Sequence, residues 1–592
     1  MESKLTPKEL EFYMRFLKVV GEVQKNQNQS VGIYVEKHAK EIPQKIALYF
    51  EDKQWTWEEI NEESNRYANY FLSNGLIPGD TIALMIENCP EFLFATTGIN
   101  KVQGISALIN FNQKRQALIH AFNVVESKWI IVSGKNLPSF MEIVDQLSLE
   151  SDHILVIKNY KNTPHNFIDL ADCFKTKLVL TKNPNTTRNS KLNEMCSYIF
   201  SSGTTGLPKA IIMWNVRFIN QTLSTSIETS RLSSNDVIYI TVPLYHNLGF
   251  GISWTASWFT GAAVALREQF SASNFWKDIH KYGATFTTYV GEIPRYLLNQ
   301  PVSKYDKNHK LKNMSGVGLQ KSIWEKFKSR FEIEHIWEFY GLTEGAAGFL
   351  NIEEKPGMIG RMVLPGTELA KVDPETGEFF KNENSFCIKC EVGDTGMALN
   401  ELQPDTQFTG YKDKKKTEKK IMYNVFRKGD KFFNTGDMLK LHEDKWLSFA
   451  DRFGDTFRWK GENVSTMEVE SIINSHPLIE TSAVYGVSIP ETEGKAGMAA
   501  LKINPNSNFD IEQFSTFILD NLPNYSIPLF IRIRKEFELV GPLKIKKFDL
   551  RIEAYDPNRI QDPLYYWDFK SQTYKIFNNE KYKELIKGKI KV

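Results

Sequence analysis

Cysteine is scarce in this chain of 592 residues. Its five cysteines, Cys89, Cys173, Cys196, Cys387 and Cys390, are too few and too scattered to staple a fold of this length. A disulfide-built secreted scaffold is therefore excluded, and a reducing compartment, the cytoplasm by default, is expected. Cys387 and Cys390 form a CxxC, but no second CxxC completes a zinc site, and the alternation around them reads as an ordinary strand. Charge of one sign is also missing. Lysine and arginine total 73 against 71 acids, a net +2, so nothing in the balance draws the chain to nucleic acid. Glycine and proline follow no collagen-like period, and 42% hydrophobic residues are too many for a disordered chain. The N-terminus lacks the basic stretch, apolar run and cleavage site of a signal peptide. One uncharged run, Leu248 to Leu266, is about long enough to cross a bilayer. However, Gly249, Gly251 and Gly261 interrupt it, hydroxyl residues are spread through it, and Trp254 and Trp258 fall mid-run rather than at its edges. The expectation is a buried helix followed by a strand from Ala262 to Leu266, with no transmembrane span.

The chain is long enough for at least two packed units. From residue 30, short apolar strand-like runs (46–50, 81–86, 105–109, 129–132, 154–157, 237–242) alternate with helical ones, which argues for an α/β chain with mostly parallel sheets. From Pro356 to Leu447 glycines become frequent and strands short, as in a β-rich section. After Asp451 helix and strand return, at 466–474, 479–487, 511–522 and 531–534. The expected organisation is an N-terminal helical extension (1–29), a large α/β domain of parallel-sheet subdomains plus the β-rich section (30–450), and a small mobile α+β C-terminal domain (451–592). In the extension, Leu5, Thr6, Pro7 and Glu9 read as staple, N-cap, first-turn proline and capping-box glutamate. Leu10, Tyr13, Met14, Leu17 and Val20 follow at helical spacing, widened by Phe12, Phe16 and Val19. That face is expected to pack on the protein, with peripheral membrane contact as the alternative. The basic run 412–420 reads as a solvated helical face.

The chemistry concentrates in Ser201-Ser-Gly-Thr-Thr-Gly-Leu-Pro-Lys209, which follows the apolar strand 196–200. Glycines let backbone N–H groups turn inward, hydroxyls donate and lysine adds charge, which together suit a phosphate. It is not the GxxxxGK[ST] loop of P-loop NTPases. It resembles the phosphate loop of the adenylate-forming superfamily of acyl-CoA synthetases, adenylation domains and luciferases. Three further motifs follow in that superfamily's order: Tyr340-Gly-Leu-Thr-Glu344, Asn434-Thr-Gly-Asp437 and Asp451-Arg452. Asp451 to Val464 (DRFGDTFRWKGENV), Leu266 to Ser273, Tyr289 to Ile293 and Glu338 to Gly341 are similar to the very-long-chain acyl-CoA synthetase and fatty acid transport protein family.

The resemblance implies an AMP-forming acid–thiol ligase, an ATP-dependent long- or very-long-chain fatty acyl-CoA synthetase working through an acyl-adenylate. ATP, Mg²⁺ and coenzyme A are the implied cofactor and co-substrates. Ser202, Gly203, Thr204, Thr205, Gly206 and Lys209 would hold the ATP phosphates, Thr343 the α-phosphate and Glu344 the metal. Gly318 and Leu319, in Gly316-Val-Gly-Leu319, would bind adenine, Tyr340 would stack on it, Asp437 would take the ribose hydroxyls and Arg452 would support them. Gly454 stands at the hinge. Lys544 would be catalytic in adenylation, with Arg458 the catalytic cation and Lys460 and Gly461 the coenzyme A contacts of the second half-reaction. Tyr245 and His246 would gate an acyl pocket lined by Tyr289 and Gly291, His246 positioning rather than moving protons. Two alternatives stand beside this: a ligase for another carboxylate (carnitine-like or a bile acid) or for transfer to a carrier protein, and a non-catalytic lipid-binding or transport protein. Thr204, Lys209, Glu344, Asp437 and Lys544 argue against the last, because a binder has no use for a phosphate and metal constellation.

Overall fold

The computed structural model describes residues 5–158, 164, 166–176, 181–201, 207–298, 300–319, 321–345, 348–373, 377–403, 408, 410–452, 456–460, 462–492, 494–504, 507, 509–540, 544–545 and 547–590. Two mostly parallel sheets and an antiparallel one carry the strands before residue 452. The first sheet runs, edge to edge, Ile168–Asp169, Ile154–Ile157, Trp129–Ser133, Thr81–Met85, Ile105–Leu108, Met195–Ser201 and Lys209–Trp214, parallel except for the last pair. Every residue of Thr81–Met85 is buried, as expected of a central strand with helices on both faces. The second sheet orders Gly348–Leu350, His335–Gly341, Asn313–Val317, Phe286–Val290, Val237–Ile240, Ala263–Leu266, Ile46–Phe50 and Lys53–Thr56, antiparallel only at its two edges. One continuous apolar cluster joins the two sheets, with Trp57, Trp129, Trp254, Trp258 and Trp324 among its largest members. The β-rich section pairs Gly360–Arg361, Trp446–Arg452, Lys431–Leu441, Thr395–Glu401 and Thr367–Ala370, with Ile421–Tyr423 also on Lys431–Leu441.

Beyond residue 456 a separate apolar cluster forms around the five-stranded sheet Ile479–Val487, Ala496–Ile503, Phe530–Arg534, Leu564–Asp568 and Thr573–Ile576. Two small hairpins flank it, Thr456–Trp459 with Glu462–Ser465 and Leu539–Val540 with Lys544–Ile545.

The uncharged run folds as expected in burial and differs in detail. Leu248–Trp254 is π-helical, Thr255–Thr260 α-helical and Ala263–Leu266 a buried strand. Two glycines bring the first of these close to its neighbours: a Cβ at Gly249 would stand 2.4 Å from the Pro243 carbonyl oxygen, and one at Gly251 2.1 Å from Asn247 Oδ1. Among the described residues no helix is long and apolar enough to cross a membrane. The CxxC lies in strand-like backbone with isolated bridges, Lys381 to Cys387 and Ala370 to Lys389, and both thiols are unpaired. The basic run forms the short helix Lys414–Glu418, N-capped by Asp413, with Lys414, Lys415 and Lys419 exposed.

The N-terminal helix spans Pro7–Lys25 with its capping box formed. Phe12 and Val23 are buried, and Phe16, Val19 and Val20 pack on the main core. Glu9 is buried in an ion pair with Arg361 at 2.6 Å, and Lys8 reaches Glu354 at 3.1 Å. The expectation that Leu10, Met14 and Leu17 pack on the protein is corrected: they are 49%, 65% and 64% exposed. The apolar stripe is wider than the groove the protein offers, and the ion pairs fix which half faces inward.

Candidate active site

Part of the motif set stands at the carboxyl ends of parallel strands, where such sheets present their loops: Ser201 closes Met195–Ser201, Tyr340 and Gly341 close His335–Gly341, and Gly318 and Leu319 follow Asn313–Val317. Met195–Ser201 and Lys209–Trp214 flank the expected phosphate loop, with Ser201 and Lys209 facing each other in register. Lys209 is 6% exposed, and its Nζ lies 5.0 Å from the centre of the Tyr411 ring. The Tyr411 hydroxyl donates to Glu344 Oε1 at 2.7 Å. Glu344 is buried, and the buried Arg217 guanidinium lies within its field. Burial pulls the Arg217 guanidinium down to about 10, and the Glu344 charge opposes that fall. Arg217 also donates to the Thr343 carbonyl. Lysine, tyrosine, carboxylate and arginine thus stand in one chain, from strand 209–214 to the Tyr340-to-Glu344 motif.

The second constellation ties two motifs a hundred residues apart. The Tyr340 hydroxyl donates to Asp437 Oδ2 at 2.6 Å, and both residues are buried. Phe349 and Phe449 flank the Tyr340 ring, with centroids 6.0 and 6.3 Å away. The turn before Asp437 needs Gly436 at φ +79°, and the Asp437 N–H donates to Thr435 Oγ1 at 3.0 Å. Arg452 is the cross-strand partner of Asp437.

Beside these, Glu338 organises the expected adenine loop. It accepts from the Gly318 N–H (3.0 Å), the Leu319 N–H (2.8 Å) and the Tyr289 hydroxyl (2.6 Å). Gly316 is required there, because a Cβ would stand 2.2 Å from the Tyr289 carbonyl oxygen and 2.8 Å from its ring. Tyr289 is wholly buried and Gly291 is buried beside it.

At the expected gate, Tyr245 is buried edge-on against Phe111, ring centres 5.3 Å apart. Asn112 Nδ2 donates to the Tyr245 oxygen at 3.2 Å, and the Tyr245 hydroxyl donates to Glu462 Oε1 at 3.3 Å. His246 Nε2 stands 3.8 Å from Glu462 Oε2. Burial, and secondarily the Glu462 charge, push the Tyr245 phenol well above its ordinary value. The Lys460 ammonium lies 4.7 Å over the Phe569 ring.

Ser202, Gly203, Thr204, Thr205, Gly206, Gly454 and Gly461 lie outside the described residues, as do the side chains of Arg452, Arg458 and Lys544. The backbone at Lys544 lies in a two-residue strand paired with Val540. Sequence reasoning assigned no role to Glu338, Arg217, Tyr411 or Glu462. Glu338 and Glu462 stood inside quoted motifs, so a signal existed; Arg217 and Tyr411 stood in none.

The AMP-binding enzyme family profile matches residues 35–385, and the AMP-binding enzyme C-terminal domain profile matches 468–542. The chain belongs to the AMP-binding enzyme family, the adenylate-forming superfamily that its motifs resemble. It is 36% identical over 564 residues to long-chain fatty acid transport protein 2 of Rattus norvegicus, covering 94% of this chain and 90% of that one. It is 34% identical over 543 residues to the medium/long-chain-fatty-acid–CoA ligase FadD6 of Mycobacterium tuberculosis, covering 91% and 88%. Among solved structures, o-succinylbenzoate CoA synthetase from Bacillus subtilis shares the fold with a TM-score of 0.71 and 19% identity, covering 89% and 98% of the two chains.

Proposed function

We propose that this protein is an ATP-dependent long- or very-long-chain fatty acyl-CoA synthetase, an AMP-forming acid–thiol ligase that passes through an acyl-adenylate. The observation that carries the reading is the joining of two separate motifs by the Tyr340 to Asp437 hydrogen bond, beside a buried Glu344 and Lys209. In the first half-reaction a fatty carboxylate oxygen attacks the α-phosphorus of ATP and pyrophosphate leaves. An anion approaches a polyanion, so preorganised positive charge is what the site must supply. Lys209 and the loop Ser202 to Gly206 would hold the β- and γ-phosphates, Thr343 the α-phosphate, and Lys544 the reacting carboxylate and phosphate. The Gly318 and Leu319 backbone, fixed by Glu338, would receive adenine against Tyr340, and Asp437 would accept from the ribose hydroxyls.

Glu344 fits a magnesium ion: it is a hard oxygen donor, and Mg²⁺ takes one or two carboxylates with the substrate phosphates supplying the rest. The bound metal would neutralise phosphate charge. Tyr411, by donating to Oε1, fixes the orientation of the Glu344 carboxylate.

In the second half-reaction the coenzyme A thiol displaces AMP from the acyl carbonyl, with Arg458, Lys460 and Gly461 on the side from which it arrives. The small C-terminal unit turns about Gly454 between the two steps. The approach of Glu462 to Tyr245 and His246 supports the thioester-forming orientation for the arrangement described here. The five cysteines, none of which is in a disulfide, support a reducing, cytoplasmic setting. The exposed Leu10, Met14 and Leu17 support peripheral membrane contact.

The testing experiment supplies carboxylic acids of graded length and measures ATP-dependent pyrophosphate release with and without coenzyme A. Release with long acids and thioester formation on adding coenzyme A are expected. Release without thioester would indicate a carrier partner, and the absence of release with every acid would leave a binding protein.

A further inference from the structure

The basic run from Lys412 to Lys420 carries six lysines against Asp413 and Glu418, and no step of the proposed reaction uses its charge. Its backbone is fastened to the site at both ends. At its start, Tyr411 bridges Ile211, the Ile212 N–H donates to the Gly410 carbonyl at 3.4 Å, and the Lys412 N–H donates to the Ala210 carbonyl at 2.9 Å. These partners lie on Lys209–Trp214, the strand that follows the phosphate loop. The Tyr411 N–H donates to Thr417 Oγ1 at 2.9 Å, which ties the helix Lys414–Glu418 to that strand. At its end, the Asn434 N–H donates to the Lys420 carbonyl at 2.8 Å. Lys420 Nζ lies 3.3 Å from where a Cβ on Gly436 would stand, one residue before Asp437. The run therefore spans from the phosphate-loop strand to the turn that carries the expected ribose acceptor.

Most of its charge is not neutralised from within the protein. Lys412 pairs with Glu126 at 2.8 Å. Among the described residues Lys414, Lys415, Lys416 and Lys419 make no ion pair, and Lys414, Lys415 and Lys419 are exposed. Asp413 is occupied as the N-cap of the helix, and Lys415 and Lys419 stand four residues apart, where like charges repel. The field of Lys416 reaches the phosphate side. His120 Nε2 is hydrogen-bonded to the Pro208 carbonyl at 3.1 Å, one residue before Lys209. Burial, and secondarily the Lys416 charge, hold that imidazole below its ordinary value. In a chain whose net charge is only +2, this concentration of cations is a local feature.

We propose that the run is a polyphosphate-collecting patch: its exposed lysines draw the triphosphate of ATP to the edge of the nucleotide site, from which Lys209 and the phosphate loop take it over. This rests on the proposed ATP-dependent reading. A surface patch of this kind acts on the encounter with a polyanion and not on the chemical step, and salt weakens it. Inorganic pyrophosphate shares the chemistry and is drawn in the same way. AMP, with one phosphate, is drawn far less.

The test uses the full-length protein and calorimetric titration with ATP, pyrophosphate, AMP and coenzyme A in turn. Lys414→Glu, Lys415→Glu and Lys419→Glu, combined in one variant, should weaken ATP binding about tenfold at low salt, and the deficit should shrink to about twofold at high salt. Pyrophosphate should lose affinity as ATP does, and AMP about twofold or less. In pyrophosphate release with palmitate, kcat/KM for ATP should fall in parallel while kcat stays within about twofold. Coenzyme A affinity and cosedimentation with phosphatidylserine vesicles should not change. A control variant reverses the exposed Lys53, Lys277 and Lys326 to glutamate, the same change of net charge placed elsewhere, and should bind ATP as wild type does. Both variants should melt with wild type. Unchanged ATP affinity in the patch variant, an equal loss in the control, a loss that salt does not diminish, or a loss confined to coenzyme A or to vesicles would overturn the proposal. If the wild-type protein binds no ATP, the ligase reading itself fails and this inference falls with it.

Discussion

Glu338 is a buried carboxylate, 4% exposed, with three donors converging on it: the Gly318 and Leu319 N–H groups and the Tyr289 hydroxyl. Such burial is tolerable only because the charge is fully hydrogen-bonded. Glu338→Ala leaves these donors without their acceptor, at about 1–3 kcal/mol each, so a total loss of about 3 kcal/mol or more is expected. Glu338→Gln is the finer probe. Its carbonyl can replace Oε1, which serves Tyr289 and Leu319, but its amide NH₂ then faces the Gly318 N–H, donor against donor. That one mismatch should cost about 1–3 kcal/mol. Because the loop it holds is the expected adenine site, both variants should also raise KM for ATP, about tenfold for the glutamine, while the KM for coenzyme A stays unchanged. Thermal unfolding and steady-state kinetics read the two effects. A Glu338→Ala protein that melts with wild type and keeps its KM for ATP would refute the reasoning.

Glu344→Gln should lower adenylation about a hundredfold, close to 3 kcal/mol of transition-state stabilisation, if this carboxylate holds the metal; a near wild-type rate would remove it from that role. Lys544→Ala should lower adenylation about a hundredfold and leave thioester formation from supplied acyl-adenylate little changed, whereas Lys547→Ala, whose ammonium lies 2.7 Å from Glu470, should alter stability instead. In the N-terminal helix, Glu9→Ala leaves Arg361 buried without its partner and should cost about 3 kcal/mol, while replacing Leu10, Met14 and Leu17 with serine should leave the melting point unchanged and reduce cosedimentation with liposomes. Burial lowers the Lys101 ammonium to about 8 from 10.5. Between those values the unfolded chain binds the extra proton, so this group should make stability rise with pH from about 8 to 10.5, a slope that Lys101→Met should remove.

Where a segment's own pattern decides its structure, the sequence was enough. The strands 46–50 and 154–157, the helix 466–474 and the strand 479–487 fall on the expected residues. The four ordered motifs were legible because each is a short local string. What was not legible is pairing at a distance. Tyr411 reaches Glu344 and Tyr245 reaches Glu462 only after sheets have stacked, and no periodicity in either segment records its partner. The terminal strands Leu564–Asp568 and Thr573–Ile576 were not distinguished, since their aromatics alternate over too few residues to stand out. The N-terminal helix shows the reverse failure. Its apolar stripe was read correctly, but a stripe does not say how much of itself a neighbour covers, and Leu10, Met14 and Leu17 remain outside.

The central claim is that a fatty carboxylate is activated on the α-phosphorus of ATP at the site formed by Lys209, Glu344, Tyr340 and Asp437. Its most direct test is exchange of labelled pyrophosphate into ATP, with palmitate present and coenzyme A absent. The account predicts exchange that depends on the fatty acid, stops when palmitate is withheld and falls about a hundredfold in Glu344→Gln. Fatty-acid-independent exchange, or none with any carboxylate in a protein that still binds ATP, would contradict it.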